Sequence, residues 1–146
     1  MDIKKTLLWM FIGSIIIGIF LNGMNILAYN FDDLYFSAPT LVYSALLMAS
    51  NMCILETFMY YNMHGKFKTY IFLFFAFFSL FCVFLLRKQI GVNDKGYLKR
   101  MISHHSTAIT TSKEIIKKTN NKKVENLAKN IIRTQEDEIK IMKDLL

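Results

Sequence analysis

Two adjacent histidines and two methionines are the residues of this chain whose types and spacing suggest chemistry. His104 and His105 lie about one helical turn after Met101, and Met142 lies near the end of the sequence. Thioether sulfurs and imidazole nitrogens are donors that suit Cu(I), and imidazoles also suit Cu(II) and Zn(II). A metal site therefore requires elements that bring these four side chains together.

The segments that carry these residues have the apolar periodicity of two helices. We predict helices over residues 95–119 and 124–145, joined by a polar turn at 120–123 and preceded by a linker at 89–94. One row of residues on the second helix is predicted to face inward, and it contains two polar residues. Its members are Val124, Leu127, Ile131, Gln135, Glu138, Met142 and Leu145.

Folding the two predicted helices into an antiparallel hairpin brings the unusual inward residues to one level. Met101 then meets Met142, and His104 meets Glu138. Because His104 and His105 point about 100° apart on a helix, one can bind an ion while the other bonds a carboxylate, or a second chain can complete the site. Gln135 and Glu138 would support the ligands from the side.

A second interpretation of the same residues involves no metal. An interior histidine bonded to Glu138 forms a polar pair that sets the alignment of the two helices. Met101 and Met142 would then be ordinary core residues, since methionine fills irregular gaps well. Spacing alone leaves both interpretations open.

The first part of the chain is apolar enough to cross a membrane three times. Charge-poor stretches predict transmembrane helices near 7–29, 40–63 and 69–86. Their lengths are close to the roughly 20 residues that a membrane-spanning helix requires. The first run is longer than the apolar segment of a signal peptide, so we expect a span rather than a cleaved leader. The predicted fold is all-α, with a transmembrane region at 1–88 followed by the hairpin domain at 95–146.

One carboxylate, Glu56, lies inside the second predicted span. An ionised carboxylate there costs on the order of 3 kcal/mol, so we expect it to face other helices. Four methionines follow helical spacing around it, at Met48, Met52, Met59 and Met63. This row is compatible with a path for a soft metal or with simple packing, and packing is the simpler interpretation.

Charge is concentrated after the third predicted span. Residues 87–146 hold fourteen Lys and Arg against seven Asp and Glu, which accounts for the whole net charge of +7. Short basic segments flank the first two spans, at Lys4, Lys5, Lys66 and Lys68. The positive-inside rule then places the N-terminus in the cytoplasm and the C-terminal half outside the cell membrane. Arg87 and Lys88 favour the opposite orientation.

Several functional classes lack support in the sequence. No nucleophile–base set, phosphate-binding loop or zinc-protease motif is present, so we expect no enzyme. The basic residues come without an aromatic or groove-reading motif, which disfavours nucleic acid as a partner. Cys53 and Cys82 fall inside predicted spans and predict no disulfide framework.

The segment around the histidines resembles the domain of unknown function 305 family. Residues 98–109 are similar to its Met-Ile-Pro-His-His pattern and residues 131–142 to its second half, within a resemblance that covers 94–146. The resemblance implies a ferritin-like helical bundle and, from some members, copper binding. By their positions in the motif, the resemblance implies that Met101, His104, His105 and Met142 are candidate copper ligands. Ser103 replaces the usual proline, and Thr111 stands where many members have a methionine.

Together these observations predict an integral membrane protein with an extracytoplasmic helical domain that binds copper for sequestration or tolerance. The alternative is a structural module of a membrane complex that oligomerises through its hairpin. Two helices alone are marginally stable, so a homo-oligomer in which two hairpins form a four-helix bundle is expected in either case.

Overall fold

A computed structural model describes residues 3–146, and every regular element in that range is helical. The helices are α1 (Ile3–Phe20), α2 (Gly23–Ile26), α3 (Pro39–His64), α4 (Thr69–Lys88), α5 (Asp94–Ile116) and α6 (Lys122–Asp144), with a 3₁₀ turn at Phe31–Asp33. The predicted all-α class is confirmed. Residues 1 and 2 of the predicted transmembrane region lie outside the described residues.

Side-chain caps set several helix boundaries. Helix α1 ends at Phe20, earlier than the predicted span over 7–29, because Asn22 begins a new turn. The side-chain oxygen of Asn22 accepts a hydrogen bond of 3.1 Å from the backbone N–H of Asn25. Asn93 caps α5 in the same manner. Such caps satisfy backbone donors that the first helical turn leaves without an internal partner.

Three stretches are long and apolar enough to cross a membrane: Ile3–Ile26, Pro39–His64 and Thr69–Lys88. Within an apolar window of 18 residues, 17% of the first stretch and 11% of the third are buried, against 39% of the second. Helix α3 is therefore the central helix of the three. The side chains that α1 and α4 direct outward are mostly apolar, which suits contact with lipid chains.

The chain forms two compact units. The three-helix unit comprises the chain up to Leu21 together with Pro39–Gly91, and the loop–helix unit comprises Asn22–Ala38 together with Val92–Leu146. The second unit is larger than the predicted domain at 95–146, because the segment between α1 and α3 packs with α5 and α6.

In the three-helix unit, α3 packs against both α1 and α4. Gly18 of α1 lies against Ala45 of α3, and Ser14, one turn earlier on α1, is also buried. Between α3 and α4, the Ser79 hydroxyl donates a hydrogen bond of 2.9 Å to the Asn51 side-chain oxygen. Small residues and side-chain hydrogen bonds of this kind hold membrane helices together where the hydrophobic effect is absent.

We expect Gly18→Ala to destabilise the packing of α1 on α3 by about 1 to 3 kcal/mol. The added Cβ would lie 2.9 Å from the backbone Cα of Ala45, so the helices would have to move apart. Gly13→Ala is the matched control, because a Cβ at Gly13 meets nothing within 4 Å. Thermal unfolding of the full chain in detergent measures both. Equal melting temperatures for the two variants would contradict this close contact.

Glu56 is buried in α3, with 6% of its surface exposed, as expected for a carboxylate inside a predicted span. The neighbouring methionines are less buried than Glu56. Met52, Met59 and Met63 are exposed, so they do not share the interior of the three-helix unit with Glu56. Their exposure favours packing or lipid contact over an internal path for a soft metal.

Candidate metal centre

The core of the loop–helix unit lies between α5 and α6. Its buried apolar cluster consists of Ile102, Ile109, Ile139 and Met142. Tyr35, from the segment between α1 and α3, packs against this cluster together with Leu98, Met101, Ile132 and Leu146. The segment thus contributes to the same core as the two long helices.

The prediction of which α6 residues face inward is wrong for three residues. Val124, Leu127 and Leu145 are exposed, whereas Ala128 and Ile139 are buried. The row that faces α5 is therefore shifted by about one residue. The small side chain of Ala128 permits close packing there, and the shift leaves a second apolar strip on the surface.

Hydroxyl groups of α5 bond to the backbone of the segment at 22–38. The Ser103 hydroxyl donates to the Asp33 carbonyl at 2.6 Å, and the Ser106 hydroxyl oxygen accepts from the Tyr29 N–H at 2.8 Å. Ser103 and Ser106 are both buried. Because unpaired backbone groups are costly to bury, these bonds allow an irregular segment to lie against a helix.

The carboxylate of Asp33 ties this segment to α6. Asp33 is fully buried, and its Oδ1 lies 2.5 Å from the Nζ of Lys143. Oδ1 has no aligned hydrogen bond, so the contact with Lys143 is essentially ionic. The sequence pattern does not predict this pair. The only signal was a pair of acidic residues, Asp32 and Asp33, in an otherwise uncharged loop.

A cavity of about 440 Å³ opens between α5 and α6 beside this core. Its lining residues are Tyr97, Met101, His105, Gln135, Glu138, Ile141 and Met142. The cavity brings together three of the four predicted ligands and both predicted supporting residues. His104, the fourth predicted ligand, is not among the lining residues.

The two histidines have different surroundings. His104 is exposed, whereas the side chain of His105 is only 12% exposed. The expectation that His104 faces Glu138 is wrong, because Nδ1 of His105 lies 3.0 Å from Oε2 of Glu138. Helix α5 is oriented by Ile102 and Ile109 in the core, and this orientation directs His105 toward α6.

Nδ1 of His105 is buried and close to Glu138, yet it lacks an aligned hydrogen bond. The side chain of Glu138 is 45% exposed, and its carboxylate also accepts a hydrogen bond of 3.3 Å from the Gln135 amide. Burial lowers the pKa of His105 below its usual 6.5, an effect that outweighs the opposing attraction of Glu138, and His104 lowers it further. The imidazole is thus neutral at neutral pH, which is the form that binds metals.

We expect the loop–helix unit to lose stability as the pH falls below 6.5. Because the pKa of His105 is lower in the folded state than in the unfolded chain, the unfolded state binds its proton first. Unfolding is therefore increasingly favoured as the pH falls from 6.5 toward the folded-state pKa of His105. The stability that the neutral imidazole contributes is fully present above pH 6.5. Thermal unfolding between pH 7.5 and 5 measures the loss. His105→Asn should reduce the pH dependence, and an unchanged profile would contradict the assignment.

The chemistry of the donor set fits a soft metal. Within residues 3–146, no group of three or more His, Cys, Asp or Glu side chains is arranged to hold an ion. A site at the cavity therefore depends on the thioethers of Met101 and Met142 together with the imidazole of His105. Two sulfurs and one neutral nitrogen favour Cu(I) and disfavour Mg²⁺ or Ca²⁺, which require oxygen ligands.

Comparison with known proteins agrees with the resemblance seen in the sequence. Residues 86–146 match the model of a family described as "Domain of unknown function (DUF305)". The chain is also 33% identical over 143 residues to "Uncharacterized protein L153" of Acanthamoeba polyphaga mimivirus, which covers 98% of this chain and 92% of that relative. The chain belongs to the DUF305 family. The DUF305 match contains the whole of α5 and α6 and thus every residue that lines the cavity.

The similarity to the viral protein extends beyond the DUF305 domain, because it also includes the three apolar helices. No solved structure matches the chain.

Proposed function

We propose that this DUF305 protein is an integral membrane protein whose α5 and α6 bind a soft metal ion outside the cytoplasm. Copper is the metal that the donors favour, and the protein would hold the ion for sequestration or tolerance. The proposal assigns no catalysis to the protein.

One observation carries the proposal: Met101, His105 and Met142 line the same cavity. Nδ1 of His105 lies 3.0 Å from Oε2 of Glu138, so this carboxylate would orient the imidazole, as carboxylates do for metal-binding histidines. Glu138 would then contribute negative charge beside the ion, and Gln135 would hold the carboxylate in place.

The location follows from the three apolar helices and the basic residues near them. Three crossings would leave residues 22–38 and 92–146 on one side of the bilayer, and those two segments pack into one unit. The basic residues expected on the opposite side are Lys4, Lys5, Lys66 and Lys68. Since short cytoplasmic segments are rich in lysine, the loop–helix unit would be extracytoplasmic.

A structural or interaction role is the second candidate. Exposed apolar residues of α6 favour it: Ile141 lines the cavity, Leu145 lies one turn further along the helix, and Leu127 is exposed nearer its start. Pairing with a second copy would bury these residues and give a four-helix, ferritin-like bundle built from two antiparallel hairpins. This role needs no metal.

A copper titration of the detergent-purified full chain separates the two candidates. The metal function requires saturable Cu(I) binding, measured against a competing chelator, at one ion per chain or one ion per two chains. The purely structural function requires no saturable binding, and the same oligomer and melting curve with and without copper. That second result would overturn the metal proposal.

A further inference from the structure

The exposed side of α6 carries a repeat that its packing on α5 does not use. Residues at alternating steps of three and four form one row along this side, which is the pattern of a helix that pairs with another helix. Val124, Leu127, Ile141 and Leu145 of this row are exposed, whereas Ala128, on the side that faces α5, is buried. The full row is Val124, Leu127, Ile131, Thr134, Glu138, Ile141 and Leu145.

The charges of α6 are divided between its two halves. Residues 122–133 contain four basic residues and one acidic residue, whereas residues 134–144 contain four acidic and two basic residues. The first half therefore has a net charge of +3 and the second half a net charge of −2. Two copies of α6 attract each other when they are antiparallel, because each basic half then lies beside an acidic half, and they repel each other when they are parallel.

Two of these charges lie where a single helix disfavours them. Lys123 is in the first turn of α6, at the positive end of the helix dipole, and Asp144 is its last residue, at the negative end. Among residues 3–146, neither of these side chains forms an ion pair, whereas Lys122 and Lys129 both pair with Glu125. The positions of Lys123 and Asp144 thus stabilise neither α6 itself nor its packing within one chain.

We propose that the exposed row of α6 binds the same row of a second copy, with the two helices antiparallel and Thr134 at the two-fold axis. Leu127 and Ile141 lie seven residues to either side of Thr134, and the charge of the helix changes sign at the same point. Leu127 of one copy then packs on Ile141 of the other. Lys123 lies one turn before Leu127, and Asp144 one turn after Ile141, so the two charges pair across the interface.

A second copy is the occupant that the charges of α6 favour, because each half of the helix complements the other half of the same sequence. An anionic surface would attract only the basic half. The inference deepens the interaction role proposed above, and it does not depend on the metal. Since Ile141 belongs both to the row and to the lining of the cavity, the second copy would also cover one side of the cavity.

Cross-linking of cysteine variants of the full chain in detergent tests the orientation. Leu127→Cys and Ile141→Cys should cross-link to each other through a short bismaleimide when they are co-expressed, but neither should cross-link to itself. In the antiparallel pair, each of these residues lies about 21 Å from its own counterpart along the helix axis, at 1.5 Å per residue. Thr134→Cys should cross-link to itself. The parent chain is the control, because its two cysteines, Cys53 and Cys82, are buried.

Exchange of charges tests the ion pair. Lys123→Glu should raise the dissociation constant of the dimer about tenfold in sedimentation without copper, because a two-fold dimer contains the pair twice. Adding Asp144→Lys to this variant should restore the dimer. Lys140→Glu is the matched control, since Lys140 is exposed on the side of α6 away from the row. It should change the dissociation constant less than about twofold.

Self-cross-linking of Leu127→Cys and of Ile141→Cys would indicate a parallel pair, and this result would overturn the inference while leaving the interaction role intact. A dimer that cross-links at none of the three positions, or that Lys123→Glu and Lys140→Glu weaken equally, would also overturn it. A chain that stays monomeric would overturn the inference and the interaction role together. Binding of one copper ion per chain would be unaffected by either outcome.

Discussion

Lys143→Met should lower the local free energy of unfolding of α6 by about 3 kcal/mol, and Asp33→Asn by only about 1 kcal/mol. The asymmetry arises from unequal burial, since Asp33 is fully buried and the Lys143 side chain is 37% exposed. Removing the lysine leaves a buried carboxylate without its counterion. Removing the charge of Asp33 leaves an ammonium group that can turn toward water.

Hydrogen–deuterium exchange of the full chain, read from peptides of α6 and of residues 22–38, measures this difference. Lys140→Met is the matched control, because Lys140 is exposed on the same helix. Lys143→Met should accelerate exchange in both segments, since the ion pair joins them. If Lys143→Met and Lys140→Met had the same effect, the pair would not hold the segment on α6.

His105→Ala should reduce the affinity of the full chain for Cu(I) at least about 100-fold, whereas His104→Ala should reduce it less than about fivefold. The two variants remove the same side chain from adjacent positions. Only His105 lines the cavity that contains Met101 and Met142, and its lowered pKa keeps the imidazole available at neutral pH.

Competition with a copper chelator at pH 7.5 gives both affinities. Met142→Leu serves as a third variant that removes a thioether while keeping the volume of the buried side chain. It should also weaken binding, without loss of the melting transition. Equal losses for His104→Ala and His105→Ala would contradict a site centred on the cavity and would favour two exposed imidazoles acting together.

Much of the fold could be predicted because its determinants are local. The apolar runs that became α1, α3 and α4 are long enough to define candidate spans by themselves. The two C-terminal helices follow from 3.6-residue periodicity. The convergence of Met101 and Met142 at one cavity also agrees with the expected alignment of those helices.

The sequence by itself thus determined which long segments are helical, which are apolar enough for a bilayer, and which donors lie at the same level of α5 and α6. The tertiary structure decided which of two adjacent histidines faces α6, because neighbouring residues differ by about 100° and core packing selects the rotation. It also decided that Asp33 and Lys143 meet, and that residues 22–38 belong with α5. Contacts between segments distant along the chain depend on how whole surfaces fit together, and no local pattern records that fit.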